Sequence, residues 1–338
     1  MSEAVRRVVA RRDPALRARV VRTVPLTYAE GADAALDRPA HVRAGSGLAW
    51  TGGALAVMQD DANFVALADP ATGLCRAIPL PAGEGGLRQF DDVRGNKGFK
   101  LDLEACATVP DTCGDEMVVA FGSGSAALRE RVLHVRDAAG PAPRVELREA
   151  LTFYARLRDA AEFAGSELNV EGAVWREGRL VLLNRGNGAA VDGRQPVDAT
   201  CEVEWAALRA YLDGPGAHAA PGPENVVQYA LGEIDGCRLT FTDAAAFGGA
   251  LVYTATAEAS PNAVDDGPVA GSAVGIIGAD GEARWTVLED AAGAGFDAKV
   301  EGLARGPRPG TLYVVVDRDD PHLASQLCEV ELAGDWPV

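Results

Sequence analysis

Five times along this chain, a short strand carrying Ser or an acid passes through a small residue, turns at Gly or Pro, and returns as a strongly apolar run. The segments are GSGLAWTGGALAVMQD (45–60), DLEACATVPDTCGDEMVVAFG (102–122), NVEGAVWREGRLVLLNR (169–185), FTDAAAFGGALVYTAT (241–256) and KVEGLARGPRPGTLYVVVDR (299–318). Each reads as strand, turn, buried strand, and repetition at this scale is the signature of a repeat architecture. Taking Ser46, Glu104, Glu171, Asp243 and Glu301 as markers, the spacings are 58, 67, 72 and 58 residues. Compact propeller repeats run to roughly 40–50 residues. Long outer connections account for the excess, with candidates at 80–98, 186–199, 213–224 and 258–271.

Two weaker strand signals follow each core hairpin: NFVALADP and CRAIPL in the first unit, RERVLHVRD and PRVELREAL in the second, CEVEWAALRAYL and NVVQYALGEI in the third, SAVGIIGADG and EARWTVLED in the fourth. Four strands per unit make the blade of a β-propeller. The fold expected is therefore all-β: one propeller domain over 1–338, with five four-stranded blades at about 45–80, 100–150, 167–234, 238–290 and 297–333. The fifth unit has only three strands, the last being SQLCEVELAG. The orphan strand ARVVRTVPL (18–26) is expected to complete it, so that no sheet edge stays open between the two ends of the chain. A sixth blade built from residues 1–44 is the alternative. The segments 149–165 and 205–214 have helix formers and read either as short helices or as irregular outer strands.

The charge balance narrows the function classes. The net charge is −17, which repels phosphate backbones and draws cations into any carboxylate-lined cleft. No nucleic-acid partner is expected, and no membrane partner, since no apolar run approaches 18 residues. The N-terminus lacks the apolar stretch of a signal peptide, so a cytoplasmic location is expected. Six cysteines, at 75, 106, 113, 201, 237 and 328, form no C-x-x-C pair and have no histidines at zinc spacing; they read as buried thiols. GSGS (122–125) lacks the lysine and helix of a phosphate loop. DRDD (317–320) and the Asp pairs at 60–61, 91–92 and 265–266 do not have the alternating acids of an EF-hand. His41, His134, His218 and His322 form no Ser-His-Asp arrangement.

The markers carry the chemistry. The first strand of a propeller blade is innermost, so equivalent residues converge on the axis. Ser46, Glu104, Glu171, Asp243 and Glu301 would then form a ring of four carboxylates and a hydroxyl. Clustered carboxylates raise one another's pKa values unless a cation sits among them. Hard oxygen donors in this number suit calcium or another divalent cation. The competing reading is a wet channel, or acids paired with lysines and arginines. The chain has only three lysines, Lys97, Lys100 and Lys299, and all lie beside these motifs. Lys100, Lys299, Arg185 and Arg318 are candidate binders of an anionic small molecule, and Glu171 and Asp243 are candidate general bases.

The segments LDLEACA, NVEGAVW and KVEGLARGPRPGTLYVVVD resemble the esterase-like domain of phytase, a bacterial propeller family. The ring is similar to that of the calcium-activated nucleotidase (apyrase) propellers. That resemblance implies five blades and a central calcium held at Ser46, Glu104, Glu171 and Glu301, with Asp243 standing where a Ser would be expected. Gluconolactonase-like propellers, which hold a divalent metal in the channel, fit less well. The reading is a calcium-binding propeller that hydrolyses a phosphorylated or other anionic small molecule. A binding propeller with a structural ion and a lactonase-like hydrolase are its alternatives.

Overall fold

The computed structural model of the chain describes residues 5–112, 114–214, 216–259 and 267–336. Cys113 and the Asp265–Asp266 pair lie outside them. The molecule is built mostly of strands, which hydrogen-bond into four sheets. The largest sheet joins two four-stranded antiparallel units through a short parallel pairing of Leu288 and Glu289 with Ala18 and Arg19. The units are numbered one to five in chain order by their innermost strands, Gly45–Thr51, Leu103–Pro110, Val170–Arg176, Cys237–Phe247 and Lys299–Arg305.

The arrangement is propeller-like. Each innermost strand packs against the next, and the fifth returns to the first. Among the described residues no hydrogen-bonded ladder joins unit five to unit one, and the contact between them includes backbone bonds such as Ser325 N to Val42 O at 2.9 Å. The second strands, Ala54–Gln59, Glu116–Gly122, Arg179–Asn184, Ala250–Glu258 and Thr311–Asp317, are almost wholly buried. Both faces of such a strand meet a neighbouring sheet, which is why these runs are continuous rather than alternating. Five apolar clusters result, each between adjacent units: Met58 and Val65 meet Val118 and Leu133, and at the closing interface Leu55 and Val57 meet Tyr313 and Val315.

The N-terminal segment serves four units in turn. Arg6–Val9 adds a parallel strand to unit three, with Arg6 opposite Val227. Arg11–Arg12 pairs with Arg284 and Trp285 of unit four. Leu16–Pro25 completes unit five, antiparallel to Gln326–Gly334. Thr27–Tyr28 pairs in parallel with Leu74 and Cys75 of unit one. Residues 5–28 thus form no sheet of their own. The two ambiguous segments are helical: Leu151–Asp159 and Ala161–Ala164, then Trp205–Asp213, capped by the Glu204 carboxylate, which accepts from Ala207 N at 3.1 Å. Among the described residues, no helix is long and apolar enough to cross a membrane.

Candidate functional site

One device repeats at the top of every innermost strand. The pairing with the second strand skips a residue, a β-bulge, at Ser46, Glu104, Glu171, Thr242 and Glu301. A bulge re-aims the extra side chain. The small residue after it is set by packing. A Cβ on Gly47 would lie 2.9 Å from Glu104 O, and one on Gly302 would lie 2.8 Å from the Gly47 backbone. The recurring acid–small pair is therefore a bulge followed by the closest approach between neighbouring strands.

The register corrects the fourth repeat by one residue. Thr242, not Asp243, is the equivalent of Glu171, and Asp243 stands where the other units have Gly or Ala. Its carboxylate accepts from Ala244 N at 2.7 Å and from Leu303 N of unit five at 2.8 Å. Asp243 is fully buried and does not line the axial cavity. With both oxygens held by backbone amides, it joins units four and five. Thr242 does not line the cavity either; its hydroxyl donates to Thr254 Oγ1 at 3.0 Å.

Ser46, Glu104, Glu171 and Glu301 do meet around one axial cavity. A second layer surrounds them, made of residues two positions upstream and of those opposite them on the second strands: Asp60, Asp102, Asn169, Arg185, Lys299 and Asp317. Lys100 Nζ sits 2.6 Å from both Asp60 Oδ2 and Asp102 Oδ1. Arg129 reaches the other oxygen of Asp102 at 3.0 Å. The carboxylates of Asp60, Asp102 and Glu104 approach closely enough to share a metal ion, but between Asp60 and Asp102 the Lys100 ammonium already acts as the cation. On the opposite side Lys299 Nζ lies 3.0 Å from Glu301 Oε1. Arg185 leans from unit three across unit four. It donates to Thr240 Oγ1 at 3.1 Å and to Glu258 Oε2 at 2.5 Å, and its NH1 is 3.4 Å from Glu171 Oε1. The guanidinium thus covers the sector of the fourth unit, whose innermost strand lends no carboxylate to the cavity lining and whose Glu258 it holds.

Six carboxylates and four cations line the cavity, so with all groups ionised it carries two more negative charges than positive. Two oxygens of these lining carboxylates, Glu301 Oε2 and Asp60 Oδ1, are buried without a partner among the described residues. Burial, together with Asp102, Asp60 and Glu171, pushes Glu104 well above the usual carboxylate range. Burial lifts Glu171 to about 8; Arg185 opposes this and Glu301 adds to it. Glu301 is raised by burial against the pull of Lys299 and Arg185. Burial also opposes the charge on Lys100, but Asp102, Asp60 and Glu104 outweigh it and hold the ammonium well above its ordinary value. The cavity has room for about 50 Å³, which suits one ion or a few waters and excludes a nucleotide. A wider cavity of about 290 Å³ adjoins it and shares Ala44, Asp60, Lys100 and Asp317 with its lining.

The expected anion binders fare differently. Lys100, Lys299 and Arg185 line the axial cavity, but each is held by carboxylates. Arg318 is exposed and lies outside it, beside Asp317 and Asp319 in a separate cavity, because the side chain after Asp317 points the opposite way along the strand. Sequence reasoning missed Arg129 and Glu258. Arg129 comes from a short turn with no motif, and Glu258 ends a strand that otherwise reads as apolar.

The chain belongs to the DUF6929 family, described as a family of unknown function, whose profile matches residues 41–332. No curated protein matches the sequence. Among solved structures, the chain is similar to a glutaminyl cyclase of Myxococcus xanthus, at 12% identity and TM-score 0.48, covering 98% of this chain and 99% of that one. It is also similar to the PQQ-bound form of an aldose sugar dehydrogenase from Streptomyces coelicolor, at 16% identity and TM-score 0.46, covering 94% and 99%. A third is a gluconolactonase from Xanthomonas campestris, at 10% identity and TM-score 0.39, covering 93% and 98%. These matches do not show the expected resemblance to the phytase esterase-like domain or to the apyrase propellers.

Proposed function

We propose that this chain is a five-bladed propeller whose axial cavity binds one divalent cation, with calcium as the first candidate. The observation that carries this reading is Glu301 Oε2, buried and unpartnered in a cavity lined by six carboxylates and four cations. An unpaired buried carboxylate oxygen is expensive, and one divalent ion balances both the charge and the orphaned atom. Glu104, Glu171, Glu301 and Ser46 are the residues that would hold it. Their donors are hard oxygens, as calcium or magnesium requires. Native mass spectrometry of metal-stripped protein, with calcium, magnesium and manganese added singly, tests this. One bound ion per chain that is lost in Glu301→Gln is expected; no ion, or one retained in that variant, refutes the site.

A second reading is hydrolysis, favoured by one observation: the axial cavity shares four lining residues with a wider one beside it. A structural ion is enclosed by protein, whereas a catalytic one keeps a position for water or substrate. A divalent cation there would polarise a scissile carbonyl or phosphoryl group and acidify a bound water. Glu171 lines the cavity and is the carboxylate placed to take a proton. Asp243, held by two amides, is not.

A further inference from the structure

We infer that the outer edge of unit two is where two copies of this chain join, the strand Arg144–Glu149 pairing antiparallel with itself across a two-fold axis at Leu147. The N-terminal segment treats the five units unequally. It adds a strand outside Glu224–Ala230 of unit three, Ala283–Glu289 of unit four and Leu74–Pro79 of unit one, and it supplies the outermost strand of unit five itself. Unit two receives nothing. Among the described residues, Arg144–Glu149 pairs only with Arg131–Arg136. An edge of this kind, with one row of backbone groups unpaired, is a template for another strand. Its half-buried Val145 and Leu147 pack against the core between units one and two, so the strand is held in place before any partner arrives.

Backbone parity and charge select the second copy and its register. Ala150 N donates to Glu130 O at 3.0 Å, and the ladder runs on from there without a shift, from Arg131 opposite Glu149 to Arg136 opposite Arg144. In an antiparallel pair the N–H and C=O of one residue face the same neighbour, and the direction alternates along the strand. Arg144, Glu146 and Arg148 therefore bond inward, and the backbone groups of Val145, Leu147 and Glu149 face outward. A copy of the strand can bond them only in a two-fold register centred on a residue, since one centred between residues sets outward groups against inward ones. Centred on Val145, the strand sets Leu147 against Pro143, which has no N–H to give. Centred on Glu146, it sets that glutamate against itself and Arg144 against Arg148. Centred on Arg148 or Glu149, it again sets a charge against its own copy. Centred on Leu147, it sets Leu147 against itself and Glu146 against Arg148 at both ends. Opposite charges across a strand pair stabilise it, and like charges directly opposite destabilise it. Within one chain Arg148 already leans on Glu146, whose carboxylate Arg136 also holds at 2.9 Å, so both side chains stand together at the edge.

The test is sedimentation velocity of the full chain from about 1 to 300 µM, with two charge reversals, Glu146→Arg and Arg148→Glu. One strand pair is smaller than a standard interface, so a dissociation constant of about 1–100 µM is expected for the parent. Either reversal alone sets like charges opposite each other at both ends and should weaken association at least about tenfold. A one-to-one mixture of the two variants restores opposite charges at both ends, because one copy then supplies only cations there and the other only carboxylates. Its affinity should return to within about threefold of the parent. A parent that stays monomeric overturns the inference and leaves the edge to a strand of another protein or to solvent. Association that neither reversal weakens overturns it too, as does a mixture that stays monomeric. Amide hydrogen exchange of the parent needs no variant: the amides of Val145, Leu147 and Glu149 should slow as concentration rises, and unchanged exchange in a chain that dimerises places the interface elsewhere.

Discussion

Lys299 Nζ lies 3.0 Å from Glu301 Oε1, while Glu301 Oε2, on the same carboxylate, is buried with no partner among the described residues. One half of the group is neutralised by its own strand, and the other faces the axial cavity. Glu301→Gln removes the charge and keeps the shape. Loss of a charged ligand from a buried cation is expected to cost about 2–3 kcal/mol, or roughly 30- to 150-fold in affinity. Calorimetric titration of the variant with calcium checks this. An affinity within about twofold of the parent counts against a direct ligand role.

Asp243 and Glu171 separate joint from ligand. Asp243→Ala leaves Leu303 N and Ala244 N without their acceptor, so a loss of about 1–3 kcal/mol in unfolding free energy is expected. Cation affinity should hold. Glu171→Gln should do the opposite, leaving urea midpoints of the metal-free protein nearly unchanged or raised while weakening the ion. Equal behaviour of the two variants would undo the one-residue correction of the fourth repeat.

The pH dependence follows from the same carboxylates. Burial lifts Glu171 to about 8 in the folded chain, against roughly 4.3 for a free side chain. The folded state therefore holds its proton where the unfolded chain has released it. Metal-free stability is greatest below the unfolded value, declines as pH rises from about 4.5 to 8, and is level above that. Glu301 and Glu104 are shifted in the same direction. Cation binding competes with these protons, so calcium affinity should climb by up to about tenfold per pH unit over that window. Melting curves of stripped and loaded protein, taken from pH 5 to 9, should diverge as pH rises.

Deletion of residues 1–13 removes the strands added to units three and four, and with them the salt bridge of Asp13 to Arg284 at 2.7 Å. The edge at Glu224–Ala230 becomes open to other chains. A lowered melting point, by about 2–4 kcal/mol of stability, and concentration-dependent aggregation are expected. Differential scanning calorimetry with light scattering measures both. An unchanged melting point would show that the outer pairings contribute little.

Much of this was legible in the sequence, and the failures have physical causes. The hairpins stood out because their second strands are apolar on both faces, as in Ala54–Gln59 and Thr311–Asp317. The fourth repeat slipped by one because a bulge interrupts the period of two, and Phe241-Thr242-Asp243 offers two polar residues at the critical point. The acid took the marker's place in sequence, while in the fold it fills the space that Gly172 leaves open beside it, 3.2 Å from where a Cβ would stand. CEVEWAALRAYL reads as an outer strand or, from Trp205 on, as a short helix, and Glu204 settles it by ending the strand and capping the helix that follows. The parallel pairings of Arg6–Val9 and Arg11–Arg12 leave no trace in the pattern, since their side chains are mostly exposed on both sides. The three expected anion binders each face carboxylates: Lys100 those of Asp60 and Asp102, Lys299 that of Glu301 on its own strand, and Arg185 that of Glu258 in unit four, and only the pairings with Asp60 and Glu258 are hidden by distance in sequence.

The central claim is that a divalent cation completes the Ser46–Glu104–Glu171–Glu301 cavity. The most direct measurement is the thermal melt of metal-stripped protein with calcium, magnesium or manganese added back singly. At about 100 times its dissociation constant, a bound ion adds roughly 2.7 kcal/mol to the folded state. The account predicts a saturable rise in melting temperature with one of these ions, absent in Glu301→Gln. Identical melts with and without every ion would contradict it, leaving the axial carboxylates neutralised by protons, Lys100, Lys299 and Arg185 alone.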